Sequence, residues 1–318
     1  LWKKMKISTS VGGFAFMGMI LWDSFLIHPL SFNTLVDRHQ PYPVNETINF
    51  LRKDPDLFRF MSLKTEEDKK FPLGRAQFLP ADQQLVYGLS SVHGYQAITP
   101  RRYAEVFKKL TRAETLDPIR LHDAYQYDPA IADLLNVKYI VVNKPSTLPK
   151  EYPIFEEGAY RVYQNLDAFP RAFFVPKSIV VSKEQESLNL ISHDEIDFRH
   201  EVILEGTHAP LLQANRLESR ETVNIKTYSP HEIIIDVHAA DERILVLTDS
   251  YHPNWECFLD GVPVPIYIAD HAFRGIYVPA GKHQVKFSLK LFSYANYLLW
   301  VVLTLALCLV ADYFLNRS

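Results

Sequence analysis

His283-Gln284-Val285-Lys286-Phe287-Ser288-Leu289 alternates without a break: Val285, Phe287 and Leu289 fall on one face, and Gln284, Lys286 and Ser288 on the other. A period of two belongs to a strand with one face in a core and the other in water. Working back from it, Asp260-Gly261 separates Phe258-Leu259 from the run Val262 to Val264. Asp-Gly supplies the left-handed residues that a two-residue hairpin turn needs. Earlier still, Glu232 to Val237 and Arg243 to Thr248 are β-rich runs joined by Ala239-Ala240-Asp241-Glu242. Short strands at this spacing predict an antiparallel β-sandwich over residues 201–290.

Residues 28–200 read as an α+β region. A Pro- and His-spotted linker, 28 to 45, leads into an amphipathic helix over Val44 to Lys53, with Val44, Ile48 and Leu51 on one side. Phe58 to Leu63 suits a strand, and 64 to 85, with its charge run and two prolines, suits a loop. Arg101 to Arg112 places Tyr103, Val106, Phe107 and Leu110 on one helical face. Ala130 to Leu135 predicts a helix feeding the strand Lys138 to Asn143, with further strands at Tyr160 to Gln164 and Ala172 to Val175.

The two ends are different in kind. Tyr294 to Ala311 contains no charge and no proline, long enough for a helix to cross roughly 30 Å of hydrocarbon. Tyr294, Tyr297, Trp300 and Tyr313 mark its ends as interfacial aromatics do. Segment 291–318 is therefore expected to be a transmembrane helix. Val11 to Ile27 is also apolar but carries Asp23, Gly12 and Gly13. Three readings compete: the end of a membrane bundle, a secretory signal from Met5, or a buried helix. The first is preferred, making 1–27 a membrane-spanning helix. Lys3, Lys4 and Lys6 before it and Arg317 after the second run put both termini in the cytoplasm and the bulk of the chain outside. The chain opens on Leu1 rather than Met, so it is expected to be the C-terminal part of a larger multi-spanning protein.

Composition narrows the partners. With 34 basic and 37 acidic residues among 318, the formal net charge of −3 offers no basic stripe for nucleic acid. Cys257 and Cys308 are the two cysteines, and Cys308 lies inside the apolar run, so no disulfide framework is expected. The twelve histidines form no zinc motif, and neither a nucleophile elbow nor a Walker loop is present. No cofactor and no metal is implied. Asp54-Pro55-Asp56 resembles a nucleotide-sugar Asp-x-Asp, but that motif needs a preceding buried strand, and Phe50 to Lys53 reads as a helix ending before Pro55. One stretch is denser in polar and aromatic groups than a core requires: Thr248 to Trp255, with Asp270 to Gly275 across the hairpin. Asp249, Tyr251, Trp255 and Arg274 are the candidate glycan- or acceptor-binding residues. The competing reading makes Trp255 core, Asp249 a turn cap and Arg274 the partner of an acid.

Here the sequence resembles the C-terminal region of YfhO-type bacterial membrane proteins. The resemblance rests on Leu247-Thr248-Asp249-Ser250-Tyr251-His252-Pro253-Asn254-Trp255, on Asp260-Gly261, and on Ala272-Phe273-Arg274-Gly275 running on to His283. Supporting pieces are Ser91-Val92-His93-Gly94-Tyr95, Leu134 to Val142, and Asn165 to Ala172. Asn254 stands where the family usually has Gly. The resemblance implies the architecture of a C-type membrane glycosyltransferase, in which spans precede an extracytoplasmic domain and sugars move from polyprenyl-phosphate carriers to cell-envelope polymers. The catalytic carboxylate of such enzymes belongs to the first outer loop of the N-terminal bundle, so no residue here inherits it. The implied partners are the lipid bilayer, that N-terminal transmembrane bundle, and an envelope glycan or polyprenyl-phosphate sugar. The chain is expected to be an accessory, acceptor-binding region of such an enzyme. The alternative is a non-enzymatic membrane-anchored envelope protein that binds glycan or a partner protein.

Overall fold

Asn45 starts the first ordered element: its side chain accepts the Ile48 amide at 2.8 Å and caps helix α1 (Glu46–Arg52), which buries Ile48 and Leu51. Those residues cover one face of a four-stranded sheet in the order β1 (Arg59–Leu63), β4 (Val137–Asn143), β6 (Tyr160–Gln164), β5 (Phe155–Glu157). Strands β1 and β4 run parallel and the remaining pairs antiparallel. A two-stranded ribbon, β2 (Gly94–Tyr95) with β3 (Arg120–Leu121), lies outside this sheet. The computed structural model describes residues 44–64, 78–79, 83–95, 99–114, 120–121, 124–144, 147–148, 153–192, 196–214 and 216–290, all within one unit, Val44–Lys290.

The second sheet has six strands, in the order β7 (Ala172–Val175), β12 (Arg243–Ser250), β16 (Phe273–Val278), β15 (Tyr267–Ala269), β9 (Glu201–Glu205), β8 (Lys177–Val181). The third has five: β10 (Thr222–Tyr228), β11 (Glu232–Ala239), β17 (Gly281–Leu289), β13 (Trp255–Leu259), β14 (Val262–Val264). Leu245 and Leu247 of β12 face the third sheet and pack with Ile235, Val285 and Phe287. Ile244 and Val246 face the other way, in one cluster with helices α2 (Arg101–Thr111) and α3 (Pro129–Leu134) and with Ile140 and Val142 of the first sheet. Helix α4 (Glu184–Ser192) adds Ile191 to that cluster. The described chain is thus three larger, mostly antiparallel sheets with few helices, sandwich-like where the second and third sheets meet.

The alternation from His283 to Leu289 lies in the middle of the third sheet, with Val285 and Phe287 fully buried. Asp260 and Gly261 take φ of 51° and 83° and close β13 on β14, as the hairpin signal requires. Asn254 is not left-handed, so this turn has no need of glycine there. The pattern reading named no element at β2, β3, β5, α4, β8, β9, β10, β15 or β16. Strands β7 and β8 come from before residue 200, yet share a sheet with β9, β12, β15 and β16 from after it. The change in pattern near residue 200 therefore falls inside a sheet rather than between domains. Among the described residues no helix is long and apolar enough to cross a membrane; the expected spans at 1–27 and 291–318 lie outside those residues.

Gly275 is required by space rather than by backbone angle. A Cβ there would meet the Cβ of Ala269 at 3.1 Å and Cδ2 of Leu204 at 3.2 Å, from the two strands beside and beyond it. Gly275→Ala is expected to destabilise the chain by about 1–3 kcal/mol, the range for overpacking a closed core. Urea unfolding of the two proteins measures it.

The β15–β16 turn carries an unusual load. Asp270 and His271 both have positive φ, 43° and 69°, and both are fully buried. Asp270 mimics a strand neighbour: its amide donates to the Ile203 carbonyl at 2.8 Å and its side chain accepts the Ile203 amide at 2.9 Å. Burial pushes its carboxyl up to about 7, although that amide bond pulls the other way. A carboxyl raised in the folded state holds its proton between the unfolded value near 4 and about 7 while the unfolded chain loses it, so its contribution to stability falls as pH rises through that window and then levels off. Asp270→Asn keeps the acceptor and removes the titration. Its stability relative to the parent is expected to rise from pH 4 to 7 and stay constant above, which chemical denaturation across that range would check.

Candidate functional site

The second sheet is irregular at one place. Strand β12 pairs with β16 in register from Arg243 to Leu247, then slips before Ser250 meets Phe273. A slip of this kind re-aims the side chains beside it, and the residues within it are Thr248 and Asp249. Thr248 is tied back to β7, its amide and hydroxyl both donating to the Arg171 carbonyl at 3.0 and 3.2 Å. Asp249 is left pointing into the place where the three large sheets meet.

Three guanidinium groups converge on that carboxylate. Arg59, from β1, lies 3.2 Å from Oδ1 and also donates to the carbonyls of Leu135 and Thr248 at 2.9 and 2.7 Å. Arg171 approaches Oδ1 at 3.6 Å, and Arg274, from β16, approaches Oδ2 at 3.5 Å. The Tyr228 hydroxyl, at the end of β10, donates across both oxygens at 3.0 Å. The arginines are 9%, 3% and 3% exposed, so one carboxylate serves three nearly dry cations. Burial, helped by the neighbouring Arg59 cation, lowers the Arg171 pKa to about 10 against the pull of Tyr228 and Asp249. Burial likewise lowers that of Arg274. The Nε of Arg171 and the Nε and one terminal nitrogen of Arg274 are buried with no hydrogen-bond partner.

Of the four residues expected from the sequence, the structure joins three. Asp249 and Arg274 are an ion pair, and the Arg274 guanidinium carbon lies 4.0 Å from the Trp255 ring centre, a cation–π contact between two sheets. Arg274 points between the sheets alongside Ile276 and Val278, and Trp255 is half-buried against the same core. Tyr251 stands just past β12 and its amide donates to the Ala272 carbonyl at 2.7 Å; of the four residues, Asp249 lines the neighbouring cleft and Tyr251, Trp255 and Arg274 do not. Asp54 and Asp56 both pair with Lys138, and Asp54 also accepts from the Tyr139 hydroxyl, so that motif ties a turn to β4.

Arg59, Arg171, Tyr103 and Tyr228 were missed. Arg59 had a signal: a lone cation in a short strand whose five residues are all buried. Arg171 sat unremarked within Asn165 to Ala172, and the tyrosines carry no local mark. Together with Asp249 these four residues line a cleft of about 370 Å³, which Ser91, Val92, His93, Gly94 and Ser250 complete. His93 accepts the Ser62 amide through Nε2 at 2.9 Å, which leaves the neutral ring's proton on Nδ1. The cleft carries hydroxyls and cations beside Asp249, and Leu85, Leu89, Val92 and Pro100 add apolar wall.

A second charged cluster lies elsewhere. Arg102 grips Glu205 through two bonds, 2.6 and 2.9 Å, and reaches Glu184 at 3.0 Å, while His271 meets Glu105 at 2.7 Å. Burial would raise the Glu205 carboxyl, but bonds from His271 and Arg102 hold it down at about 2. Glu105, Glu184 and His271 bring three ligand atoms within 4.8 Å of one another. Arg101 pairs with both of those glutamates and Arg102 with one of them, so arginine already supplies the cation a metal would bring.

Asp249→Asn preserves the shape and the Tyr228 bond but leaves three buried guanidinium groups without a counter-charge. Removing one partner of a buried pair costs about 3–5 kcal/mol, and a loss of that size is expected in denaturant titration at neutral pH. A variant as stable as the parent would mean that water already neutralises the cluster.

In comparisons with known proteins, no family model, no curated protein and no solved structure matches this chain.

Proposed function

We propose that this chain is the extracytoplasmic, acceptor-binding region of a YfhO-like membrane glycosyltransferase that uses polyprenyl-phosphate sugars in the bacterial cell envelope. One observation carries the reading. Three of the pieces that resemble the family lie far apart along the chain, at Ser91–Gly94, Arg171 and Asp249–Ser250, yet these three line the same cleft, while Leu134–Val142 and Asp260-Gly261 lie outside it. Arg274, from a fourth piece, backs Asp249 from behind. Motifs kept only for packing would have no reason to converge on solvent-accessible space. In this reading the cleft holds and orients the acceptor, and the chemical step belongs to the membrane bundle. The bulk of the chain faces outward, with both ends in the cytoplasm.

The test uses cells making the whole protein. Deleting the gene is expected to remove a sugar substituent from an envelope polymer, visible in its hydrolysate. Re-expression of an Arg171→Gln form is expected not to restore it at equal protein level. A Leu166→Cys marker, at a residue 85% exposed, should react with a membrane-impermeant maleimide in intact cells. Unchanged envelope sugars on deletion would point to the non-enzymatic alternative. Labelling only after permeabilisation would overturn the topology.

A further inference from the structure

We infer that the Arg59–Arg171 cleft binds a phosphoryl group, the phosphate ester or diester of a lipid-linked sugar or of an envelope polymer. The inference deepens the acceptor-binding reading, on which its biological meaning rests, by naming what the site recognises.

Asp249 is the carboxylate shared by three buried arginines, and Tyr228 already donates to both of its oxygens. A cation kept out of water without full compensation is costly, and ordinary cores replace it with an apolar residue. Arg274 is partly compensated, because Trp255 and Phe287 give it aromatic faces at 4.0 and 5.5 Å. Arg59 is compensated by two backbone carbonyls. Arg171 has the Tyr228 ring at 5.6 Å and, unlike Arg274, it lines the cleft with a nitrogen still unpartnered. Its nearest counter-charge is 3.6 Å away, its Nε has no partner, and it borders the cleft while only 3% exposed.

The donors around it suit a tetrahedral phosphoryl anion. A guanidinium presents a planar fork that matches two phosphate oxygens. Ser91 and Ser250 border the same space, while the Tyr103 hydroxyl is already given to the Val92 carbonyl at 3.0 Å. A volume of about 370 Å³ admits a phosphate together with a sugar or glycerol unit. A bare carboxylate would use one fork and leave the hydroxyls idle, whereas a phosphoryl group uses both.

Isothermal titration and thermal unfolding of the 318-residue chain in detergent test this, with inorganic phosphate as the first probe and chloride at matched ionic strength as the control. Phosphate is expected to bind saturably and to raise the unfolding temperature, and chloride to do neither. Arg171→Gln is expected to weaken phosphate binding about 10- to 100-fold, the worth of a charge-assisted pair. Without phosphate, the same variant is expected to unfold no earlier than the parent, because it removes an uncompensated cation. An arginine needed only for packing would lower the unfolding temperature instead.

No phosphate-specific effect on the parent chain, or equal binding by Arg171→Gln, overturns the inference. Should that variant fail to fold, the parent titration still decides. Two further arms assign the source. Competition by soluble poly(glycerol phosphate) points to a polymer, and binding only to vesicles carrying polyprenyl phosphate points to a lipid headgroup. Binding of a neutral oligosaccharide, with no response to phosphate, would sink the phosphoryl inference and leave the acceptor reading standing. Phosphate binding with unaltered envelope sugars in the deletion strain would do the reverse.

Discussion

The second sheet is covered on both faces, and the rest of the molecule is arranged around that constraint. Ile244 and Val246 look into the core shared with the helices and the first sheet, while Leu245 and Leu247 look into the sandwich. Each such side chain contributes roughly 1.5–3 kcal/mol when taken out of water. A strand buried twice over cannot alternate apolar with polar, so Ile244 to Leu247 of β12 reads as an unbroken apolar run. Polar groups have to wait until the strand leaves the double cover, which happens at Thr248 and Asp249. The slip in register lies at the same point, and the charged cluster grows from there.

The two charged clusters differ in how they are balanced. Around Arg102, two arginines meet glutamates Glu105, Glu184 and Glu205, and His271 closes the set with its own carboxylate bond. That cluster ties helix α2 to α4, to β9 and to the buried β15–β16 turn, and its charges find partners within the protein. Around Asp249 the count runs the other way, with cations in excess beside open space. The contrast separates a fastening from the cluster proposed as a binding site, since buried ionic groups hold the fold best when they satisfy one another.

Much of the fold was legible in the sequence, for reasons that can be named. Val285 and Phe287 lie on a strand with one dry face, so alternation exposed it, and Asp260-Gly261 announced its turn by chemistry that few other pairs supply. Helix α2 showed its face through Val106, Phe107 and Leu110, all buried. Strand β10 was missed although its burial alternates, because Thr222 to Tyr228 fills its polar side with Asn, Lys and Thr and its half-buried side with only two strong hydrophobes. Strands β8 and β9 pair in parallel across α4, and no local turn marks such a crossover. At the site, Asp249, Trp255 and Arg274 stood out by density of polar and aromatic groups. Arg59 and Arg171 reach them from about 190 and 80 residues upstream, a distance over which composition carries no information.

Strand β7 finishes near residue 175 and finds its antiparallel partner, β12, only at Ile244 to Leu247. Made from the N-terminus onward, the chain must carry Ala172 to Val175 through the emergence of some seventy more residues before that edge can close. Until then Phe173, Phe174 and Val175 form a bare, aromatic-rich strand, the kind of segment that pairs with a neighbouring copy when concentrations are high. Pro170 before it and Pro176 after it limit how far such a pairing can extend, because neither has an amide hydrogen to offer. The two prolines act as gatekeepers during synthesis.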